Sequence, residues 1–272
     1  MRNYNVLHII IICLLPFLLS NCEEVMEDFS VQKSDPQLVI EGLCSSKNDS
    51  IYVYISKTAD YLRPVEYPQV SGAEVMLAFG DTSIVVPEIQ AGVYAEAYDF
   101  PEETVYTLTV TYNNINYTAE SFMPKPVAID SISSSVFPYS MYMATYPGEL
   151  FYEVTLYFKD PVETKNFYRI KTYKNDTLFN GSSDIVVMRD KMFNGKAYEL
   201  LMRGYNFEVS DTVKIELVSI DESNYTYYLT LEEAMTSTGN FSVPDNPVTN
   251  FSPTILGHFS AFSTDSIQII IP

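Results

Sequence analysis

The sequence predicts an all-β protein of two β-sandwich-like domains, with one short helix near residues 222–237. Short segments rich in β-branched and aromatic residues recur between residues 37 and 272, and glycine, proline, asparagine or aspartate separates them. Hydrophobic residues make up 47% of the chain, enough to form packed cores rather than a disordered polypeptide.

The first segment, residues 1–21, has the composition of a secretory signal peptide. Arg2 precedes an apolar run at residues 6–19, and the small residues Ser20 and Asn21 follow it. The run is shorter than the roughly 20 residues that a helix needs to span a bilayer. We therefore expect this segment to be removed and to take no part in the fold.

Cys22 follows in the sequence Leu19-Ser20-Asn21-Cys22, which resembles the lipobox of bacterial lipoproteins. The resemblance implies a diacylglyceryl group on the Cys22 thiol and an acyl chain on its amine. Each buried methylene contributes about 0.8 kcal/mol, so several chains hold a protein in a leaflet. Residues 22–36 are expected to form an acidic tether, which resembles the surface-export signal of Bacteroidota lipoproteins; an ordinary solvated tether is the alternative. Its acidic residues are Glu23, Glu24, Glu27 and Asp28.

Residues 37–123 are predicted to form an immunoglobulin-like β-sandwich, because so many short strands in about 90 residues are typical of that fold. Turn-forming segments such as Phe79-Gly80-Asp81 and Tyr112-Asn113-Asn114 separate the strands. The prolines of Met123-Pro124-Lys125-Pro126 then break the pattern, and we place a domain boundary there. The expected strands are residues 37–42, 51–55, 73–79, 83–86, 93–98, 105–110 and 116–122.

Residues 127–272 are predicted to form a second β-rich domain, which carries the helix. Asp221, Glu222 and Ser223 offer capping oxygens at its start. Strong helix formers continue toward residue 235, and Gly239 ends the segment. The expected strands are residues 150–159, 166–174, 184–188, 199–202, 212–220 and 266–271.

Residues 137–148 are an aromatic segment between two predicted strands and form the candidate binding loop. Loops on rigid scaffolds often carry binding residues, and tyrosine suits adaptable contact surfaces. The alternative is that these side chains fold back and cap the second core. The aromatic residues concerned are Phe137, Tyr139, Tyr142 and Tyr146.

The net charge of the chain, −19, argues against nucleic acid as a partner, because such a surface repels phosphates. The sequence also has neither a glycine-rich phosphate loop nor a basic patch interleaved with aromatic residues. The same charge disfavours docking on anionic lipid headgroups. We therefore expect contact with a membrane only through the lipid anchor.

Sequence motifs for catalysis or metal binding are not found either. His258 is the one histidine after Cys22, and it lies outside any zinc-ligand spacing, so we interpret it as a structural residue of a loop or core. Cys44 is expected to be a buried, unreactive thiol, with a bridge to Cys22 as the alternative. We predict no catalytic residue, metal or cofactor. The alternative functions are an extracellular hydrolase with an unrecognised carboxylate pair and an adhesin or assembly subunit.

An aspartate followed by serine or threonine and then an apolar residue recurs along the chain. This pattern resembles the O-glycosylation motif of some secreted Bacteroidota proteins. The alternative is that aspartate ends a turn and a strand begins after it. The acceptor residues would be Ser50, Ser131, Thr177, Thr212 and Ser266.

Several short motifs follow the lipobox. They lie at residues 38–43, 57–58, 70–75, 92–94, 106–110, 219–221, 239–241, 246–248 and 256–261. Their order resembles an uncharacterised family of Bacteroidota outer-membrane lipoproteins, a domain of unknown function found beside TonB-dependent receptors. The resemblance implies an outer-membrane protein, exposed at the cell surface, that assists such a receptor in nutrient uptake or captures an extracellular ligand. It implies no catalytic residues.

Overall fold

The computed structural model describes residues 35–59, 67–137, 150–179, 181, 184–236 and 245–272. These residues are mostly β-strand, with one α-helix among them, α1, at Glu222–Thr236. The all-β prediction and the predicted helix are therefore confirmed. No helix in the described ranges is long and apolar enough to cross a membrane.

The first eight strands come from the predicted N-terminal domain, and their positions agree with the predicted strands to within a few residues. A short extra strand, β5, precedes the Gly92 turn. The strands are Leu38–Ser45 (β1), Ser50–Lys57 (β2), Glu74–Phe79 (β3), Thr82–Val85 (β4), Glu88–Gln90 (β5), Val93–Ala97 (β6), Thr104–Tyr112 (β7) and Ile115–Met123 (β8).

The remaining strands follow the proline-containing segment. They are Ile129–Val136 (β9), Tyr152–Lys159 (β10), Phe167–Lys174 (β11), Thr177–Leu178 (β12), Val186–Arg189 (β13), Ala197–Phe207 (β14), Thr212–Ile220 (β15), Phe251–Ser252 (β16) and Leu256–Ile270 (β17), with a 3-10 turn at Asp190–Met192.

The strands form three sheets, and the largest has nine strands. Its order is β12-β11-β15-β17-β1-β2-β6-β5, with β13 also beside β11. A five-stranded sheet has the order β16-β8-β7-β3-β4, and a three-stranded sheet has the order β14-β10-β9. Such an arrangement of sheets is consistent with β-sandwich packing.

Each smaller sheet contributes to a separate hydrophobic core. The first core joins Ile40 and Val53 of the nine-stranded sheet to Leu77 and Leu108 of the five-stranded sheet. It also contains Tyr106, whose hydroxyl donates a 2.7 Å hydrogen bond to the carbonyl of Pro101, an arrangement that accompanies immunoglobulin-like sandwiches.

The second core joins the three-stranded sheet to the other end of the nine-stranded sheet. Leu156 and Phe158 of β10 meet Ile215 and Leu217 of β15 there, and all four side chains are fully buried. Inward-facing apolar residues alternate with outward-facing residues along these strands, as the pleat of a strand requires.

Strand β17 is longer than predicted and serves both cores. Its first half runs parallel to β1, with Gly257 opposite Ile40, and its second half runs antiparallel to β15. Gly257 has φ of +103°, and a Cβ atom there would overlap the carbonyl oxygen of Ile40, so this pairing requires glycine.

Residues 124–126 lie in sequence between the strands of the two cores, where the domain boundary is predicted. Phe259 of β17 nevertheless belongs to the first core, and Ile271 just after β17 belongs to the second. The two halves of the chain therefore share one sheet, and their independence as domains stays a prediction.

Candidate functional site

A cavity of about 230 Å³ lies between helix α1 and the face of the nine-stranded sheet opposite the two cores, beside a third hydrophobic cluster that includes Val218, Ile220 and Tyr228. We call this space the helix–sheet cavity. Strands β1, β11, β15 and β17 form its floor, and α1 covers it. Its lining includes Glu41, Leu43, Arg169, Lys171, Val218, Ile220, Tyr227, Tyr228, Leu231, His258, Ser260 and Phe262.

Strand alternation places these side chains on one face. Ile40 and Cys44 of β1 point into the first core, so Glu41 and Leu43 between them point the other way. The parallel register sets Glu41 beside His258 on β17 and Leu43 beside Ser260. Residues from distant parts of the sequence therefore meet at the cavity.

Helix α1 begins where it does because Asp221 caps it. One carboxylate oxygen of Asp221 accepts a 2.8 Å hydrogen bond from the backbone N–H of Asn224, as an N-cap side chain does. The other oxygen accepts hydrogen bonds from the Ser121 hydroxyl at 2.9 Å and from the Phe122 backbone N–H at 2.8 Å. The cap thus ties the helix to β8.

Asn224 connects this cap to β17. Its side chain is fully buried, and its amide nitrogen donates to the Ser121 hydroxyl at 2.9 Å and to Asp221 at 2.8 Å. Its amide oxygen lies 2.8 Å from Nε2 of His258, and Ser121 also accepts the backbone N–H of Ala261 at 2.9 Å. We call Ser121, Asp221 and Asn224 the helix-cap network.

The hydrogen bond to Asn224 fixes the state of His258. Because the Asn224 oxygen can only accept, Nε2 of His258 carries the proton and Nδ1 is left as an acceptor. Burial lowers the pKa of His258 to about 3, so the ring is neutral at physiological pH. The ring also stacks on Tyr227, with centroids 4.4 Å apart.

Two buried polar atoms of the cavity lining lack a hydrogen-bond partner among the described residues. They are Nδ1 of His258, which is 4% exposed, and the hydroxyl of Ser260, which is 2% exposed. Buried polar atoms are nearly always bonded in native proteins, so such atoms require an explanation. A ligand or ordered water that enters the cavity would supply their partners.

Two cations, Arg169 and Lys171, lie on β11 at the other side of the cavity. The Arg169 guanidinium lies 4.0 Å from the ring centroid of Tyr228, and the Lys171 ammonium lies 5.2 Å from that of Phe262. Among residues with a described position, no carboxylate forms an ion pair with either. Desolvation, and secondarily the charge of Arg169, lowers the pKa of Lys171 to about 8.

The nearby carboxylates form no ion pair with these cations in the described structure, although the charge of Glu216 partly offsets the lowering of the Lys171 pKa. Glu216 on β15 is the cross-strand neighbour of Lys171. Its carboxylate instead forms an ion pair with Lys214 at 3.3 Å and accepts a hydrogen bond from the Tyr173 hydroxyl at 2.9 Å. Glu41 lines the cavity with part of its side chain exposed, and the residues packed around its carboxyl desolvate it enough to raise its pKa. It is the one carboxylate in the lining, so the carboxylate pair of a hydrolase is not found among these side chains.

The arrangement suits binding of an anionic group beside an apolar surface. In the described part of the chain, no three histidine, cysteine or carboxylate residues are close enough to hold a metal ion. Tyr227 stays protonated, because desolvation and the nearby charge of Glu41 raise its pKa to about 12.

Several predicted site residues lie outside the described residues. These are Cys22, Glu23, Glu24, Glu27, Asp28, Tyr139, Tyr142 and Tyr146. Phe137, the first residue of the candidate binding loop, directly follows β9 and is half-buried. Lipidation, export and binding by this loop stay predictions.

The five predicted O-glycosylation residues lie on separate strands, and none lines the helix–sheet cavity. Ser131 and Thr177 are exposed, whereas the other three are half-buried. Asp49 and Asp176 have positive φ, which agrees with the alternative that aspartate ends a turn before a strand. The five residues are Ser50 and Thr212 at the starts of β2 and β15, Ser131 in β9, Thr177 in β12 and Ser266 in β17.

Cys44 is fully buried in the first core as a free thiol, and burial raises its pKa. His258 is buried as well, but within the described part of the chain only one of its ring nitrogens has a partner. The sequence analysis did not anticipate Arg169, Lys171 or Ser260. The sequence did contain one signal for the two cations. They occupy alternate positions of a predicted strand and therefore lie on the same face of it, which is unusual for a strand that packs in a core.

Comparison with known proteins gives a family but no characterised relative. A model of a domain of unknown function, DUF4249, matches residues 26–268. No curated protein matches the chain. A chain in a solved structure entitled "Cytokine receptor complex - Crystal form 1A" is 7% identical, with 85% of this chain and 94% of that chain covered and a TM-score of 0.25. A likeness of that size carries no argument about fold or function.

Proposed function

The chain belongs to the DUF4249 family, a domain of unknown function, and we propose that it is a lipid-anchored accessory protein of the cell envelope that captures a small extracellular ligand. In this proposal acyl chains on Cys22 hold the protein in the outer membrane at the cell surface. A TonB-dependent receptor receives the captured ligand.

The helix–sheet cavity is the observation that carries the capture role. Its lining combines aromatic side chains with two cations and two buried polar atoms that have no partner among the residues of known position. Keeping such groups desolvated costs stability unless something binds them. A role in ligand binding explains why the protein tolerates this loss of stability. Ligand binding requires no catalytic group.

The envelope role is supported by the sequence before the folded part. Residues 1–21 have the pattern of a signal peptide, and Leu19-Ser20-Asn21-Cys22 resembles a lipobox. The acidic residues that follow Cys22 resemble a surface-export signal. The order of motifs along the chain supports the partnership with a TonB-dependent receptor.

Labelling with palmitate tests the anchor. Cells that express the wild-type chain, Cys22→Ala or the matched control Cys44→Ala are fractionated after labelling. We expect labelled protein in the outer-membrane fraction for the wild type and for Cys44→Ala, and none for Cys22→Ala. Unchanged labelling of Cys22→Ala contradicts the anchor.

Co-purification tests the partnership. The wild-type protein is isolated from its own outer membrane in mild detergent, and associated proteins are identified by mass spectrometry. We expect a TonB-dependent receptor to be recovered with the wild type and to be depleted with Cys22→Ala. Its absence from both samples contradicts the proposed partnership.

A further inference from the structure

Arg169 and Lys171 form an unneutralised pair of cations in a strongly acidic protein. The chain has a net charge of −19, yet these residues occupy alternate positions of β11 on the same face and have no carboxylate partner in the described structure. Lys214 on the neighbouring strand adds a third positive charge, and Glu216 beside it and Glu41 in the cavity lining offset two, which leaves one net positive charge. An anion is the ligand that this cluster favours.

Arg169 has no hydrogen bond or ion pair to another residue in the described ranges. Its guanidinium carbon lies 4.0 Å from the ring centroid of Tyr228, a cation–π contact that uses none of its N–H groups as donors to oxygen. The N–H groups lie in the plane of the guanidinium, where they can bind both oxygens of a carboxylate. Lys171 can contribute a second cation from the next position on the same face.

The rest of the cavity is suited to an apolar body. Val218, Ile220 and Leu231 line it together with the aromatic rings. Its volume of about 230 Å³ exceeds the roughly 150 Å³ cavity that holds benzene, so a ring with a short acidic arm fits.

The buried acceptor in the lining adds one requirement. Nδ1 of His258 has no partner in the described structure and can only accept, so it favours a ligand that also carries a hydroxyl or N–H donor. The Ser260 hydroxyl can donate to the same ligand group.

We propose that the helix–sheet cavity binds a small organic carboxylate whose aromatic or other apolar body carries a hydrogen-bond donor, with Arg169 and Lys171 holding the carboxylate. This inference rests on the proposed capture function and names its ligand class. His258 and Ser260 hold the donor group.

Three probes separate the contributions of charge and hydrogen bonding. 4-Hydroxyphenylacetate has both features, 4-hydroxyphenylacetamide lacks the charge, and phenylacetate lacks the hydroxyl. Titration calorimetry on the full mature protein in detergent gives their affinities. We expect the acid to bind at least tenfold more tightly than its amide and several-fold more tightly than phenylacetate. Equal affinity for acid and amide, or no binding of the acid at millimolar concentration, overturns the inference.

Variants identify the cations. Arg169→Gln and Lys171→Gln are expected to weaken binding of 4-hydroxyphenylacetate at least tenfold each, whereas Lys159→Gln, at an exposed position on β10, leaves it unchanged. Circular dichroism and thermal unfolding verify that each variant is folded. Retained affinity in folded Arg169→Gln and Lys171→Gln overturns the assignment. If Arg169→Gln does not fold, the acid–amide comparison and folded Lys171→Gln decide the question.

The proposed ligand class and the proposed envelope role can be contradicted independently of each other. A protein that is labelled on Cys22 and recovered with a transporter, yet does not prefer the acid to its amide, overturns only the ligand class. A protein that binds the acid but is neither lipidated nor recovered with a transporter overturns only the envelope role.

Discussion

The two ring nitrogens of His258 belong to polar regions of opposite character. Nε2 joins the helix-cap network, where the polar side-chain atoms of Asn224 and Asp221 all have protein partners at 2.8–2.9 Å. Nδ1 and the neighbouring Ser260 hydroxyl have none among the described residues. Both regions are buried beneath the same helix, so burial alone does not explain the difference.

Buried polar groups therefore fall into two classes, those whose hydrogen bonds stabilise the fold and those that can still bond to a ligand. A fully connected buried network fixes one arrangement of α1, β8 and β17 and stabilises it. A buried cluster in which some polar atoms have no hydrogen bond lowers the stability of the fold. Proteins keep such clusters mostly at functional sites. Substitutions in the first region should therefore lower stability, and those in the second should leave it unchanged or raise it.

Asn224→Ala is expected to have the largest effect. It removes the amide that hydrogen-bonds to Ser121, Asp221 and His258. The polar atoms of these three residues then stay buried with fewer hydrogen bonds. The free energy of unfolding should fall by about 3 kcal/mol, measured by urea denaturation. Glu233→Ala, at an exposed position on the same helix, is the control and should change it by less than about 0.5 kcal/mol. Equal effects of the two substitutions would contradict the role of the network.

Two buried serines give a matched pair of tests. Ser121→Ala removes a hydroxyl with three hydrogen bonds and should cost about 2 kcal/mol of unfolding free energy. Ser260→Ala removes a buried hydroxyl that has no partner in the described ranges and should stabilise the unliganded protein by about 0.5 kcal/mol. Thermal unfolding of both variants measures the difference. A loss at Ser260 as large as at Ser121 would show that Ser260 is bonded in solution.

The pH dependence of stability should reveal the burial of neutral His258. Its pKa of about 3 in the folded state is below the ordinary value of about 6.5, so between these values the unfolded chain binds a proton that the folded protein does not. Stability therefore falls as pH decreases through this range. From pH 6 to pH 5 the wild type should lose about 1 kcal/mol more than His258→Gln. Parallel pH profiles of the two proteins would mean that the ring has the same pKa in the folded protein as in the unfolded chain.

Lys171→Met should have the smallest effect on stability, and a favourable one. Removing a desolvated, unpaired charge should raise the free energy of unfolding by about 0.5 kcal/mol at neutral pH, after allowance for solvent screening. Above pH 8 folded Lys171 loses its proton while the unfolded chain keeps its own until about pH 10.5, so the wild type gains stability and the difference shrinks. Lys159→Met is the control, and a clear loss of stability in Lys171→Met would indicate an ion pair.

The sequence predicted most of the elements because each has a local pattern. Residues 212–220 alternate apolar and polar side chains, and they form β15 with the predicted bounds. Asp221 and the residues after it predicted α1 to within a residue of its observed end. Strand β17 was predicted only at its end, because its first half is defined by a parallel pairing with β1 that no neighbouring residues reveal.

The candidate site was harder to predict than the strands. Arg169, His258 and Tyr227 are far apart in the sequence, and only the order of strands in the nine-stranded sheet brings them together. The aromatic segment at residues 137–148 drew attention because its residues are neighbours. A site whose residues come from several strands leaves no such local pattern in the sequence. Such a site can be recognised only after the pairing of the strands is known.

The position of β17 also constrains the order of events during synthesis. A ribosome releases residues 256–270 long after residues 38–45, so β1 lacks its parallel neighbour while all the strands between them are being made. Pairings between opposite ends of a chain form slowly, because a long loop must close before they are made. Strands β1 and β2 therefore cannot complete their native sheet until β17 has emerged.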